Sequence, residues 1–210
     1  VVVVGDLVAV PGFEALTLDV ADEGSVAAVV DSIEDRHQRL DIVVNNATIR
    51  LVAGFETQTA EQWDRVIAVN LRGPFLVSKA AAPLLRIRGG SIVNIGSTEA
   101  FASSPRHAAY AASKAGVHGL TAALAVELGV DGVRSNAIAP GWIDSAENSE
   151  LLASHPRGES AREALARLHP VGHIGAPGDV GDVAVWLASD ESRFVTGQVI
   201  TVDGGRMVRA

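Results

Sequence analysis

The sequence predicts an α/β fold in which helices cover both faces of a parallel sheet. Short runs rich in β-branched residues alternate with longer segments of helical periodicity along the chain. This alternation is typical of βαβ units, whose strands run parallel and lie buried between helices. No repeat, linker or run of charge divides the sequence, so we expect a single domain over residues 1–210.

The individual elements follow from local hydrophobic patterns. Short apolar runs bounded by turn residues predict strands at 1–4, 13–18, 41–45, 91–94, 134–138 and 198–202. Helical periodicity predicts helices over 25–40, 110–128 and 179–188. Another helix begins at Thr59, because Thr59 and Gln62 have the spacing of a capping box, and it continues to about Leu71.

Composition and charge disfavour several classes of function. A formal net charge of -8 argues against a nucleic-acid-binding surface, which needs clustered basic residues. The chain has no cysteine, and its 6 scattered histidines are not expected to form a metal site. No apolar stretch is long enough to span a bilayer, and no signal peptide is recognisable. We therefore expect a cytoplasmic protein that binds no metal, nucleic acid or membrane.

A tyrosine and a lysine one helical turn apart suggest proton transfer to or from an oxygen atom. Tyr110 and Lys114 are an i, i+4 pair, so their side chains leave the same helix face. An ammonium beside a phenol favours the phenolate, which suits a carbonyl/alcohol interconversion. Ser97, on a separate segment, could stabilise the developing oxyanion. The spacing alone is weak evidence, because such pairs are ordinary on helix surfaces.

Polar and turn residues follow five of the predicted strands. Parallel sheets bind ligands beyond the carboxyl ends of their strands, so these residues are expected to converge on one site. They are Asp6, Asp19, Asn45-Asn46-Ala47, Ser97 and Pro140-Gly141.

Taken in order, these motifs resemble the short-chain dehydrogenase/reductase family in its compact single-domain form. The resemblance covers about residues 13–206 and implies a Rossmann-like doubly wound sheet whose first βα units are incomplete. Its marks are Leu18-Asp19-Val20, Asn45-Asn46-Ala47, Val69-Asn70-Leu71, Ile95-Gly96-Ser97, Tyr110-Ala-Ala-Ser-Lys114, Asn136-Ala-Ile-Ala-Pro140-Gly141, Thr196-Gly197 and Asp203-Gly204-Gly205.

The resemblance also implies an activity and the residues that perform it. Hydride would pass between a nicotinamide and the carbon of a secondary alcohol or ketone. Tyr110 would be the general acid/base, and Lys114 would assist it and bind the nicotinamide ribose. Ser97 would polarise the substrate oxygen, and Asn70 would hold a water that relays protons to Lys114.

A second set of residues would bind the cofactor. Asp19 and Val20 would lie near the adenine, Asn46 and Ala47 along the ribose and phosphates, and Ile143 near the carboxamide. The remaining implied contacts are Pro140, Gly141 and Ser145, together with the catalytic Tyr110 and Lys114.

Asp6 favours NAD over NADP, although NADP stays possible. A carboxylate after this strand could accept a hydrogen bond from a ribose 2′-hydroxyl and would repel a 2′-phosphate. The alternative, about equally weighted, is that Asp6 is simply a turn residue at the end of a strand.

Three departures from the family pattern stand out. Thr48 replaces a glycine where the backbone approaches the cofactor, and a β-branched residue does not readily adopt positive φ. Ser145 replaces a threonine but keeps the hydroxyl. No glycine-rich phosphate-binding turn follows a first strand, and residues 7–12 are too short for a crossover helix. If residues 1–4 are the second strand of the family, the first strand is absent and the sheet has a gap lined by unpaired backbone groups. If they are instead the central strand, the second strand is absent and Asp6 loses its role. In either case we expect residues of the protein to be missing before Val1 and after Asp6.

Alternatives to an alcohol dehydrogenase or ketone reductase are a non-catalytic relative that acts as a scaffold and, less favoured, an epimerase or dehydratase of the extended branch. Residues 142–170 are the expected substrate lid, but they do not identify the substrate. Glu99 and Phe101 are expected to line the substrate pocket. His107 could reach the substrate, but the favoured alternative is a position on the loop surface. By analogy with the family we expect a homotetramer, with a dimer possible.

Overall fold

The computed structural model describes residues 1–8, 10–153 and 158–208. Within them lie six strands: β1 (Val3–Asp6), β2 (Glu14–Thr17), β3 (Ile42–Asn45), β4 (Gly90–Ile95), β5 (Val133–Pro140) and β6 (Val199–Val202). The α-helices are α1 (Glu23–His37), α2 (Ala60–Ile67), α3 (Gly73–Leu85), α4 (Ala108–Gly129), α5 (Ala146–Ala153), α6 (Gly158–Ala166) and α7 (Pro177–Ala188). Strands and helices alternate as the sequence predicts.

All the strand pairs are parallel, which confirms the predicted fold class. Strands β3, β4, β5 and β6 form a four-stranded sheet in that order, and β1 pairs with β2 in a separate two-stranded sheet. The carboxyl ends of β4 and β5 therefore lie side by side, which brings the segments after Ile95 and Pro140 together.

Helices cover both faces of the four-stranded sheet. On one face, Leu85 of α3 and Leu128 of α4 pack against Ile92 in a cluster of fully or nearly fully buried side chains. On the other face, Leu187 of α7 packs against Val93 and Ile138. Ile92 and Val93 are adjacent in β4, so their side chains point to opposite faces, as the two-residue period of a strand requires.

A gap separates the two sheets, as the sequence predicts. The cavity between β1 and β3 has a volume of about 970 Å³ and is lined mainly by apolar side chains. Val43 of β3 is buried, but its neighbours Ile42 and Val44 are 44% and 49% exposed. β3 is the edge strand of the four-stranded sheet beside the gap, and these two side chains remain exposed there.

A π-helical turn joins α2 to α3. The predicted capping box starts α2, since Thr59 accepts from the Gln62 amide and Gln62 accepts from the Thr59 amide. Residues Ala68–Arg72 then form the π turn, a feature that is frequent at functional sites. The chain continues as α3, which the sequence analysis did not predict. Pro74 lies in its first turn, where the missing amide hydrogen costs no helical bond.

The expected lid, residues 142–170, contains α5 and α6, although residues 154–157 fall outside the described part of the chain. Arg162 of α6 forms an ion pair with Asp144, so α6 is tied to the segment that follows β5. No helix in the described ranges is long and apolar enough to cross a membrane.

Candidate active site

Lys114 is buried beneath Tyr110 on α4. Its side chain is 2% exposed, and its Nζ lies 5.7 Å from the centre of the Tyr110 ring. Nζ donates a 2.7 Å hydrogen bond to the carbonyl oxygen of Ile95, the last residue of β4. Burial lowers the pKa of Lys114 to about 8, because desolvation disfavours the ammonium. The lysine can therefore exchange a proton close to neutral pH.

Ser97 lies directly beyond β4, in the segment that follows the Lys114 contact. It is 7% exposed, and its Oγ accepts a 3.1 Å hydrogen bond from the Glu99 amide at the start of a 3₁₀ turn. This bond occupies an acceptor position of the hydroxyl, so the hydroxyl proton is available for a substrate oxygen.

A chain of contacts links Ser97 to Tyr110. The Glu99 carboxylate accepts two 2.6 Å bonds, from the amide and the hydroxyl of Ser104. Its Oε2 also lies 3.8 Å from Nδ1 of His107, and the His107 and Tyr110 ring centres are 6.2 Å apart. Glu99 and His107 thus lie between the segment that carries Ser97 and the ring of Tyr110.

Asn70 ties the segment after β3 to the catalytic helix. Its side chain is 1% exposed within the π turn, and it both accepts from the Ile49 amide (2.8 Å) and donates to the Ile49 carbonyl (2.9 Å). The same amide donates at 3.1 Å to Ser113, whose hydroxyl donates to the Tyr110 carbonyl at 2.7 Å. The π turn therefore places Asn70 where it joins the Ile49 segment to α4, next to Lys114.

The predicted cofactor residues from the first half of the chain lie at the gap. Asp6, Val20, Asn46 and Ala47 line the cavity at the carboxyl ends of β1, β2 and β3. Asp19 instead closes a turn, since its Oδ1 accepts a 2.9 Å bond from the Ala21 amide. This rim combines apolar walls with a carboxylate and an amide, a set that fits the adenosine half of a dinucleotide.

The other predicted cofactor residues follow β5. The carbonyl of Pro140 accepts from Thr98 at 3.2 Å, and Gly141 lies so close to Asp203 that a side chain there would overlap it. Ile143 pairs with Gly175, and Ser145 accepts a 3.4 Å bond from the Asn148 amide in the first turn of α5. These residues lie between the end of β5 and the start of α5, at the edge of the site.

Thr48 does not adopt the strained backbone that the sequence suggested. Among the described non-glycine residues, positive φ occurs at Gln38 (54°) and Arg106 (70°), and Thr48 is not one of them. The turn after Ala47 therefore accommodates a β-branched residue.

Two histidines near the site were not predicted as site residues from the sequence. His107 is more buried than expected for a loop-surface residue, since its side chain is only 18% exposed. His118 lies on the same helix, eight residues after Tyr110 and four after Lys114. Desolvation, followed by the charge of Lys114, lowers its pKa. Its i, i+4, i+8 spacing was the available signal. Within the described ranges no group of His, Cys, Asp or Glu has the arrangement of a metal site.

The fold and this site together define an NAD(P)-dependent oxidoreductase. A family model described as "Enoyl-(Acyl carrier protein) reductase" matches residues 3–206. The chain belongs to the short-chain dehydrogenase/reductase family.

Curated relatives support this membership. The chain is 42% identical over 193 residues to 3-oxoacyl-[acyl-carrier-protein] reductase FabG of Thermotoga maritima, covering 91% of this chain and 76% of that protein. It is also 39% identical over 189 residues to a Xanthobacter autotrophicus protein named inactive 2-(S)-hydroxypropyl-CoM dehydrogenase 2, covering 89% of this chain and 82% of that one.

Solved structures show the same fold. Ligand-free aldohexose dehydrogenase of Thermoplasma acidophilum has a TM-score of 0.94 and 32% identity, covering 99% of this chain and 84% of that one. Gluconate 5-dehydrogenase of Burkholderia cenocepacia, in complex with NADP and tartrate, has a TM-score of 0.87 and 34% identity, covering 95% and 78% respectively.

Proposed function

We propose that this protein interconverts a secondary alcohol and a ketone, with Tyr110 as the general acid/base. The observation that carries the proposal is the buried Lys114, whose Nζ is held between the Ile95 carbonyl and the Tyr110 ring. A cation in this position stabilises the phenolate form of Tyr110, which alcohol oxidation requires and ketone reduction leaves behind. A bound nicotinamide supplies the hydride acceptor or donor.

The remaining catalytic roles follow from position. Ser97 donates its hydroxyl proton to the substrate oxygen and so stabilises negative charge that develops there. Asn70 holds the Ile49 segment against α4 and orders the surroundings of Lys114, through which protons reach Tyr110.

Cofactor binding is assigned to the two groups of residues at the carboxyl ends of the strands. Asp6, Asp19, Val20, Asn46 and Ala47 would hold the adenosine side. The nicotinamide side would be held by Tyr110, Lys114, Pro140, Gly141, Ile143 and Ser145.

We propose that NAD is the preferred cofactor. Asp6 is an exposed carboxylate at the end of β1 and would repel a 2′-phosphate. The similar gluconate 5-dehydrogenase binds NADP, so a direct comparison of the two cofactors is needed.

The proposed activity is tested by following NADH and NADPH oxidation with a panel of ketones, and NAD and NADP reduction with the matching alcohols. Turnover with at least one pair is expected. Binding of neither cofactor in a titration, together with no turnover, would instead support the non-catalytic alternative, which the relative named inactive keeps open.

We further propose a homotetramer with one domain per chain and a lid over residues 142–170. Large apolar side chains are exposed where the family usually associates, on α3, on α4 and beyond β6. They are Phe75 (46%), Val126 (78%), Val130 (87%) and Val208 (86%). A cytoplasmic location stays a prediction from the cysteine-free sequence.

A further inference from the structure

The residue that starts the catalytic helix has an unusual environment. His107 is the N-cap of α4, a position that favours Ser, Thr, Asp or Asn because their side chains bind the first helical amides. The His107 side chain makes no capping bond. Its imidazole turns instead toward Glu99 and Tyr110, so the residue serves the site at the expense of the helix terminus.

The residue before His107 has an unusual backbone conformation. Arg106, directly before His107, has φ of 70°, in the left-handed region that a long side chain seldom adopts. The Arg106 carbonyl is held by a 3.1 Å hydrogen bond from the Ala53 amide. Strained residues of this kind cluster at active sites, where the surrounding structure holds them in place.

Glu99 and His107 form a pair in which one buried ring nitrogen lacks a hydrogen bond. Nδ1 of His107 is buried, and it makes no hydrogen bond to any described residue. Glu99 Oε2 lies 3.8 Å away, beyond hydrogen-bond range but close enough for a small side-chain rotation to form the bond. Because Ser104 holds the Glu99 carboxylate with two short bonds, the histidine is the partner that moves.

We infer that Glu99 and His107 anchor a neutral hydroxyl group on the substrate carbon next to the reacting carbon. When Nδ1 donates to Glu99, Nε2 is left to bind a substrate hydroxyl beside the oxygen that Tyr110 protonates. With Glu99 ionised, the pair has no net positive charge in either protonation state of His107, so a carboxylate at this point is disfavoured. The substrate class is therefore a vicinal diol or an α-hydroxy ketone. This inference rests on the proposed function.

The test compares two alcohols that differ by one hydroxyl, 2,3-butanediol and 2-butanol, with the parent, His107→Leu and His107→Gln. The parent should have a kcat/KM for the diol about tenfold above that for 2-butanol, the worth of one buried hydrogen bond. His107→Leu should reduce this ratio to about one, and His107→Gln should retain part of the preference. His173→Leu, at an exposed histidine, is the matched control and should keep the parental ratio.

An unchanged diol preference in His107→Leu would overturn the inference alone. Equal parental rates with the two alcohols would also overturn it while leaving the proposed alcohol oxidation intact. Absence of hydride transfer with every alcohol and ketone of the panel would overturn the proposed function, and the inference with it.

Discussion

Lys114 Nζ donates to the carbonyl oxygen of Ile95 at 2.7 Å in an almost fully buried position. The bond joins the catalytic helix to the end of β4, two residues before Ser97. It places a titratable cation in a site from which water is largely excluded, with consequences for stability as well as for catalysis.

Folding should depend on pH through Lys114. Burial lowers the pKa of Lys114 from 10.5 to about 8, so below pH 8 both folded and unfolded chains hold the proton and the folded chain carries the full desolvation cost. Between pH 8 and 10.5 the unfolded chain binds more protons, so this contribution makes the free energy of unfolding rise with pH, by about 3 kcal/mol in total. Urea denaturation of the parent and Lys114→Met from pH 7 to 10 measures it. The parent should gain stability relative to the variant as pH rises, and parallel curves would contradict the burial of an ionisable Lys114.

Asn70 should matter for stability apart from any role in catalysis. Asn70→Ala leaves the amide and the carbonyl of Ile49 without their partner, which should lower the free energy of unfolding by about 1–3 kcal/mol. Urea denaturation checks this, with Ser103→Ala at an exposed site as the control. A loss of unfolding free energy no larger than that of the control would show that the hydrogen bonds between Asn70 and Ile49 contribute nothing to folding.

Gly96 should be required because His118 packs against it. A Cβ on Gly96 would overlap Nε2 of His118, so Gly96→Ala should destabilise the protein by about 1–3 kcal/mol. Removing the imidazole should relieve the overlap, so Gly96→Ala combined with His118→Ala should cost less than the sum of the single changes. Additive losses in thermal or urea unfolding would place the clash elsewhere, for example at the Ile138 carbonyl 3.1 Å from the added atom.

Asp6 should set the cofactor preference. Asp6→Ser removes the charge that would repel a 2′-phosphate, and the ratio of kcat/KM for NADP to that for NAD should rise about tenfold or more. The measurement is initial rate against cofactor concentration at fixed substrate. Asp22→Ser, at the N-cap of α1, is an acidic control. If Asp6→Ser leaves the ratio at its parental value, Asp6 is a turn residue only.

Local signals in the sequence identified most of the fold. The Thr59 capping box and the periodicity of α4 and α7 depend on neighbouring residues, and these elements begin within about two residues of their predicted starts. The π turn at Ala68–Arg72 was not predicted, because it involves a hydrogen bond between Asn70 and Ile49, which are far apart in the sequence. Helix α1 ends at His37, earlier than expected, because Gln38 adopts a left-handed conformation. Glycine or asparagine usually marks such a position in the sequence, and glutamine does not.

The site was predictable as a set of residue types but not as a geometry. Tyr110, Lys114 and Ser97 stood out by spacing, whereas the burial of Lys114 follows from its packing against β4. His107 was placed on the surface because a histidine before a helix has no local signature. Its approach to Glu99 and the positive φ of the preceding Arg106 appear only in three dimensions.

The most direct test of the central claim is the turnover number of Tyr110→Phe with the best alcohol or ketone of the panel. Phenylalanine keeps the ring and removes the proton that the mechanism needs, so kcat should fall by at least about 100-fold, while the dissociation constant of the preferred cofactor stays within about threefold of the parent's because only one cofactor contact is lost. A Tyr110→Phe enzyme with parental kcat would contradict the account.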